Sequence, residues 1–191
     1  MSTQPKPYLT PQQYLEIERS AERKSEYYNG EMFLMSGGTR KHGKVIDNLS
    51  RSLGNRLDDK PCFAYSSEVR LWIQASGLFT YPDIMVVCEP ERTSPDDEDS
   101  LTNPTVIVEV LSPTTEAYDR GKKFGHYLRI RSLRDYVLVS QEELRIDHFT
   151  IQPGATHTFR QYRNLDDLLE LPSIDCAIPL REIYHKTDLA A

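Results

Sequence analysis

Thr105-Val-Ile-Val-Glu-Val-Leu111 is apolar at every position except Thr105 and Glu109, and it is bounded by Pro104 on one side and Ser112-Pro113 on the other. A short, β-branched, unbroken apolar run between such breakers reads as a strand covered on both faces. Pro82-Asp-Ile-Met-Val-Val-Cys88 has the same character. Strands buried on both sides need helices on both sides, which means an α/β or α+β domain. The segment from Ala117 to Arg131 supplies one such helix and turns Phe124, Tyr127 and Leu128 inward. It lies between the strand ending at Leu111 and the next, Asp135 to Ser140, and so suits a crossover between parallel neighbours.

The rest of the chain fits around this centre. Thr10-Pro-Gln-Gln13 starts a helix, with Thr10 as N-cap, Pro11 at the first helical position and Gln13 closing a capping box. That helix carries Tyr14, Leu15 and Ile17 inward and ends near Ala21. Asn29-Gly30, between Glu26-Tyr-Tyr28 and Glu31-Met-Phe-Leu-Met35, is a hairpin signal. Gly37-Gly38 breaks the chain before a second helix, whose buried stripe is His42, Val45, Ile46, Leu49, Leu53 and Leu57. Glu68 to Ile73, Leu144 to Thr150 and Thr158 to Tyr162 read as further strands, and Glu89 to Pro104 as a long acidic surface loop. Short helices at Leu165–Leu171 and Leu180–Tyr184 complete the reading. The hairpin and the late strands favour a mixed central sheet flanked by helices, in a single domain over residues 1–191.

Composition narrows the class. Apolar residues make up 38% and charged residues 27%, as in a soluble globular protein, and no apolar run is long enough to span a bilayer. Met1-Ser-Thr-Gln-Pro-Lys lacks the apolar stretch of a secretory signal, so the expected location is the cytoplasm. Cys62, Cys88 and Cys176 form no CxxC pair and are expected to be reduced thiols. The net charge of −6 argues against a protein that coats nucleic acid by bulk electrostatics. The charges are segregated, however. Six acids lie between Glu89 and Asp99, and six basic residues between Arg120 and Arg134; Arg40, Lys41, Lys44, Arg51 and Arg56 form a second basic group. Such runs are commonly solvated helix faces, but they can also leave one face positive on an acidic molecule.

Asp83 and Glu109 break the apolar logic of their strands. A carboxylate inside a buried strand costs several kcal/mol, in rough terms, unless a cation or good donors compensate it. If adjacent strands bring the two together, their repulsion raises a pKa or recruits a cation. That cation is a metal or a lysine. Asp119 and Lys123 stand four residues apart in the following helix; this is the spacing of an ordinary surface ion pair, yet Lys123 also borders the apolar side beside Phe124. Two acids and a lysine suit metal-assisted phosphodiester cleavage, with oxygen ligands for Mg²⁺ or Mn²⁺ and a cation near the attacking water. Other chemistries fit less well. His148 and His157 lack metal-ligand spacing, Ser36-Gly37-Gly38 has no following Gly-Lys-Ser/Thr, and Ser112 has no GxSxG around it.

Pro82-Asp83, Val108-Glu-Val-Leu-Ser-Pro113, Asp119-Arg-Gly-Lys-Lys123 and Tyr127 together resemble the Uma-two family of endonucleases, itself similar to the restriction-endonuclease-like PD-(D/E)XK fold. The resemblance runs from Leu9-Thr10 through Asp135-Tyr-Val-Leu-Val139 and takes in Asn29-Gly30-Glu31 and His42. It implies a divalent-metal nuclease acting on DNA, with Asp83 and Glu109 as the metal pair. The usual lysine two residues after the second acid would fall at Leu111, so the resemblance assigns its role to Lys123, with Lys122 as the fallback. It also implies Glu31 as an extra acid and His42 as a residue lining the site. By residue type alone, Glu31 is a solvent-facing strand residue and His42 a hydrogen-bonded core histidine. Glu68 is a sheet-surface charge by default. A homodimer would bring two sites to the two strands of DNA. The competing readings are a catalytically inactive nucleic-acid-binding or regulatory module of the same fold, and a hydrolase of another phosphate ester.

Overall fold

A computed structural model of the chain describes residues 8–152, 154 and 156–190. The first six residues, read above for a secretory signal, lie outside them. The elements in chain order are α1 (Pro11–Ser20), β1 (Ser25–Tyr28), β2 (Glu31–Leu34), α2 (Arg40–Leu57), β3 (Cys62–Ser66), β4 (Arg70–Ile73), β5 (Leu78–Thr80), β6 (Ile84–Cys88), β7 (Thr93–Ser94), β8 (Asp97–Leu101) and β9 (Pro104–Leu111). A helix then runs as α3 (Glu116–Tyr118), a π-helical turn (Asp119–Lys123) and α4 (Phe124–Tyr127). The chain ends with β10 (Asp135–Ser140), β11 (Ile146–Ile151), β12 (His157–Tyr162), β13 (Leu168–Leu171), a 3₁₀ turn (Pro172–Ile174), β14 (Cys176–Pro179) and α5 (Leu180–Ile183).

The strands form two mixed six-stranded sheets, ordered β2-β1-β5-β4-β8-β7 and β12-β11-β10-β9-β6-β3, and the separate pair β13-β14. The second sheet is the central one. Its β9 and β10 are parallel, joined by the helix over residues 116–127, while β6 runs antiparallel to β9. Alternation along β9 divides the core. Val106, Val108 and Val110 face α2 and join Val45, Leu49 and Leu53. Ile107 and Leu111 face the crossover helix and join Phe124, Tyr127 and Tyr136. Glu109 falls between these two on the same side. Asp83 shares that side, because Ile84 pairs with Val108 and Asp83 therefore comes opposite Glu109.

The local signals at the N-terminal end appear as read. Thr10 and Gln13 make both capping-box bonds, and Asn29 and Gly30 both take positive φ, 49° and 83°, as a two-residue hairpin turn requires. Thr39 caps α2 by accepting from the His42 N–H.

Several expectations are corrected. Ile17 is exposed and Glu18 is buried in its place, because the Glu18 carboxylate accepts from the Ser25 N–H and the Tyr81 hydroxyl. The acidic segment after Glu89 is not all loop: β8 pairs parallel to β4, and Asp97 is buried on the Arg70 guanidinium at 2.6 Å. Leu165–Leu171 is not a helix, since Leu168–Leu171 alternates exposed and buried as a strand does. The strand β3 has no counterpart in the sequence reading, and it overturns the expectation for the cysteines. Cys62 and Cys88 are register partners on β3 and β6 and form a disulfide, which leaves Cys176 as a buried free thiol. No helix among the described residues is long and apolar enough to cross a membrane.

Candidate active site

Where β9, α2, the β1-β2 hairpin and the crossover helix meet, a cavity of about 820 Å³ is lined by Glu26, His42, Asp83, Glu109, Asp119 and Lys123, among others. Phe33 and Leu34 form an exposed apolar lip on it.

Glu109 is only 3% exposed. Its Oε1 accepts from the Tyr127 hydroxyl at 2.6 Å and lies 2.9 Å from Lys123 Nζ; its Oε2 lies 3.5 Å from the Asp83 backbone nitrogen. Burial raises the Glu109 carboxyl, the Lys123 charge opposes it, and the negative charges of Asp119 and Asp83 add to the rise, for a net position of about 8.

Lys123 is buried among acids, with Nζ 3.3 Å from Glu26 Oε1 and 3.8 Å from Asp119 Oδ1 in addition to its contact with Glu109. Burial acts against its charge, but Glu109, Tyr127, Glu26 and Asp119 outweigh it and hold the ammonium well above the usual lysine range. The surface reading of the Asp119–Lys123 pair is thereby replaced: both side chains point inward, and burial raises the Asp119 carboxyl. They bracket the π-helical turn, a wide turn that recurs at functional sites.

Asp83 Oδ2 accepts from the Val110 N–H at 2.7 Å and lies 3.3 Å from His42 Nε2. The same His42 nitrogen is 2.9 Å from the Val110 carbonyl, which can only accept, so Nε2 carries the proton. Burial alone would lower the His42 pKa, but the Asp83 carboxylate, the Val110 carbonyl and Glu109 outweigh it and raise it.

Four of the residues singled out from the sequence, His42, Asp83, Glu109 and Lys123, converge here. Glu31 does not line the cavity; it sits exposed beside the hairpin turn, paired across the ladder with Tyr28. The hairpin acid in the cavity is Glu26, which accepts from the hydroxyls of Thr80 and, at 3.4 Å, Tyr118. Nothing in the sequence separates Glu26 from a solvent-facing strand residue, because its burial comes from the crossover helix packing over it. Lys122 is exposed, and Glu68 is an exposed turn residue bonded to Lys24.

Four carboxylates face one lysine and one histidine, an excess of negative charge on hard oxygen donors, and this suits Mg²⁺ or Mn²⁺. Among the described residues no three His, Cys, Asp or Glu side chains are already gathered at metal-binding distance. The neighbouring pair Asp83 and Glu109 nevertheless fits the one or two carboxylates with which a protein commonly holds Mg²⁺.

The arrangement of sheets and helices is that of a crystal structure from Anabaena variabilis described as "a putative nuclease belonging to DUF820". The two superpose with a TM-score of 0.75 at 17% identity, over 92% of this chain and 97% of the other. Residues 11–180 match the Uma2 family, described as "Putative restriction endonuclease", and the chain belongs to that family. Two proteins of Synechocystis sp., both described as uncharacterized, are each 36% identical to it. The first aligns over 95% of this chain and 94% of its own length, the second over 74% and 80%.

Proposed function

We propose that this chain is a divalent-metal-dependent endonuclease that hydrolyses DNA phosphodiester bonds, built as one restriction-endonuclease-like domain and acting as a homodimer. The observation that carries the reading is the placement of Lys123 on Glu109, beside Asp83, in an open cavity. A fold without use for these charges would be more stable with apolar residues of similar volume.

In this reading Asp83 and Glu109 hold Mg²⁺ or Mn²⁺. When bound, such an ion lowers the pKa of a coordinated water and offsets charge on the phosphate oxygens. Lys123 keeps its proton, and its fixed charge orients the attacking water and stabilises the charge that develops on phosphate. Glu26 and Asp119 hold the lysine in place. His42, fixed by the Val110 carbonyl, keeps the Asp83 carboxylate aimed into the cavity. Glu26 thus takes the supporting part that the family resemblance gave to Glu31.

The test is to titrate Mn²⁺ and Mg²⁺ into the wild type and Asp83→Asn by calorimetry while following plasmid cleavage on the same samples. Binding and cleavage that both vanish in the variant support the reading; a folded wild type that shows neither refutes it. One observation favours the inactive-module alternative. Leu111 is buried where the in-strand lysine would stand, and three carboxylates already occupy Lys123. That alternative requires DNA affinity retained in Asp83→Asn and no metal-dependent product from the wild type.

A further inference from the structure

The two basic groups of the sequence meet different fates in the fold. In the group from Arg120 to Arg134, Arg120 is bound to Glu116 and Asp147, Lys123 is buried in the cavity, and Arg129 and Arg134 donate to backbone carbonyls, which leaves the exposed Lys122 and Arg131. In the group on α2, Lys41 is paired with Glu142 and Arg56 with Glu182. Arg40, Lys44 and Arg51 have no carboxylate partner among the described residues: Lys44 donates to the Lys186 carbonyl at 2.6 Å and Arg51 to Asn48 Oδ1 at 3.0 Å.

These three positions are separated by four and seven residues, so they lie on one stripe of the helix, on the side away from Val45, Leu49 and Leu53. At 1.5 Å per residue the stripe is about 16 Å long. Two clefts flank it. One, of about 560 Å³, includes Arg51, His185 and the exposed Lys186; the other includes Arg40, Lys44 and Asp188. Among the carboxylates lining them, Glu182 is already taken by Arg56, which leaves Asp188 against four cations. The same helix lines the catalytic cavity with His42 and Ile46 on its adjoining face, and the exposed Asp47, which also reaches the cavity, stands on the stripe between Lys44 and Arg51.

We infer that the Arg40–Lys44–Arg51 stripe, extended by Lys186, is a phosphate track that seats the backbone of duplex DNA leading into the cavity. This rests on the nuclease reading for the identity of the polyanion. About 16 Å of rigid cationic row spans roughly five nucleotides of one strand at 3.4 Å each. It also explains how a chain of net charge −6 holds a polyanion, since the remaining positive field is local to the helix that borders the site.

The experiment measures binding of a labelled mixed-sequence DNA duplex by fluorescence anisotropy, in chelator and over a series of salt concentrations. The proteins are the wild type, the triple variant Arg40→Gln/Lys44→Gln/Arg51→Gln, and the charge control Arg131→Gln. Removing three phosphate contacts should reduce the slope of log K against log salt by about 2.7 and weaken binding more than tenfold at low salt. Arg131→Gln should bind as the wild type does. Affinity and slope unchanged in the triple variant overturn the track; an RNA duplex bound tenfold more tightly than DNA overturns its assignment to DNA. No metal or turnover enters this measurement. A wild type that binds through the stripe but never cleaves therefore refutes the nuclease reading and leaves the track standing.

Discussion

Replacing Lys123 by methionine keeps the volume of the stem and removes the ammonium that faces Glu109 at 2.9 Å, Glu26 at 3.3 Å and Asp119 at 3.8 Å. Lys123, Glu109 and Asp119 are buried and Glu26 is nearly so, so water from the cavity can take over the lost role only in part. Breaking a buried pair by removing one partner costs about 3–5 kcal/mol, against a total stability of about 5–15 kcal/mol for a domain. The variant should fold but be severely weakened near neutral pH. The cost must also depend on pH. Burial raises the Glu109 carboxyl from an ordinary 4.5 to about 8 even with the lysine present, so its proton favours the folded state. Stability from a raised pKa is complete below the unfolded value and is lost as pH rises through the folded one. Without the lysine the acids avoid repulsion by staying protonated, which is easy near pH 5 and hard near pH 9. Urea unfolding of both proteins at about pH 5, 7 and 9 should therefore give a difference that grows with pH. A difference below about 1 kcal/mol at pH 7, or one independent of pH, would refute the claim that Lys123 compensates a buried carboxylate cluster.

On the nuclease reading, the raised Glu109 carboxyl also sets an expected pH dependence. A ligand must be ionised to hold a cation, so Mn²⁺-supported cleavage should climb as pH rises through about 8, and a flat profile between about pH 6 and 9 would count against Glu109 as a ligand. Tyr127→Phe removes the 2.6 Å bond that helps keep Glu109 ionised. It should cost about 1–3 kcal/mol in urea and move that pH profile upward; an unmoved profile would make the hydroxyl purely structural. Gly30→Val places a branched side chain at φ +83°, against the Tyr8 ring. It should lower the melting temperature in calorimetry through a loss above about 1 kcal/mol, and an unchanged melt would show that the hairpin turn can rearrange.

The elements readable from the sequence are those whose cause is local. The Thr10 capping box, the Asn29-Gly30 turn and the stripe on α2 each rest on residues within a few positions of one another. The apolar runs ending at Cys88 and Leu111 announced a doubly covered sheet, and the two acids inside them come to line one cavity. What was missed depends on partners distant in the chain. Asp97 is buried because Arg70, on another strand, receives it. Cys62 and Cys88 are joined through the register of β3 against β6. Glu26 enters the cavity because Tyr118 and Lys123 close over the hairpin. No window of the sequence contains both halves of any of these pairs.

The absence of a lysine at position 111 follows from the packing of β9. Residues 109 and 111 point to the same side of the strand, but they meet different surroundings. Glu109 lies under the part of the crossover helix that carries Asp119, Lys123 and Tyr127, whereas Leu111 belongs to the apolar cluster with Leu138, Tyr136 and Phe124. A lysine at 111 would have to take its stem through that cluster and remove an apolar side chain that is 3% exposed. Supplying the cation from the helix leaves the cluster intact and delivers the charge to the same carboxylate from above. The π-helical turn that ends at Lys123 belongs to this arrangement: Asp119 and Lys123, one at each end of it, both face the sheet, and the two residues that follow the lysine at 124 and 127 still pack into the core. The acids are thus fixed by the register of β6 against β9, and the lysine by the course of the helix over them. Substitutions that shift the helix should therefore disturb the lysine's reach while leaving the two strand carboxylates in place.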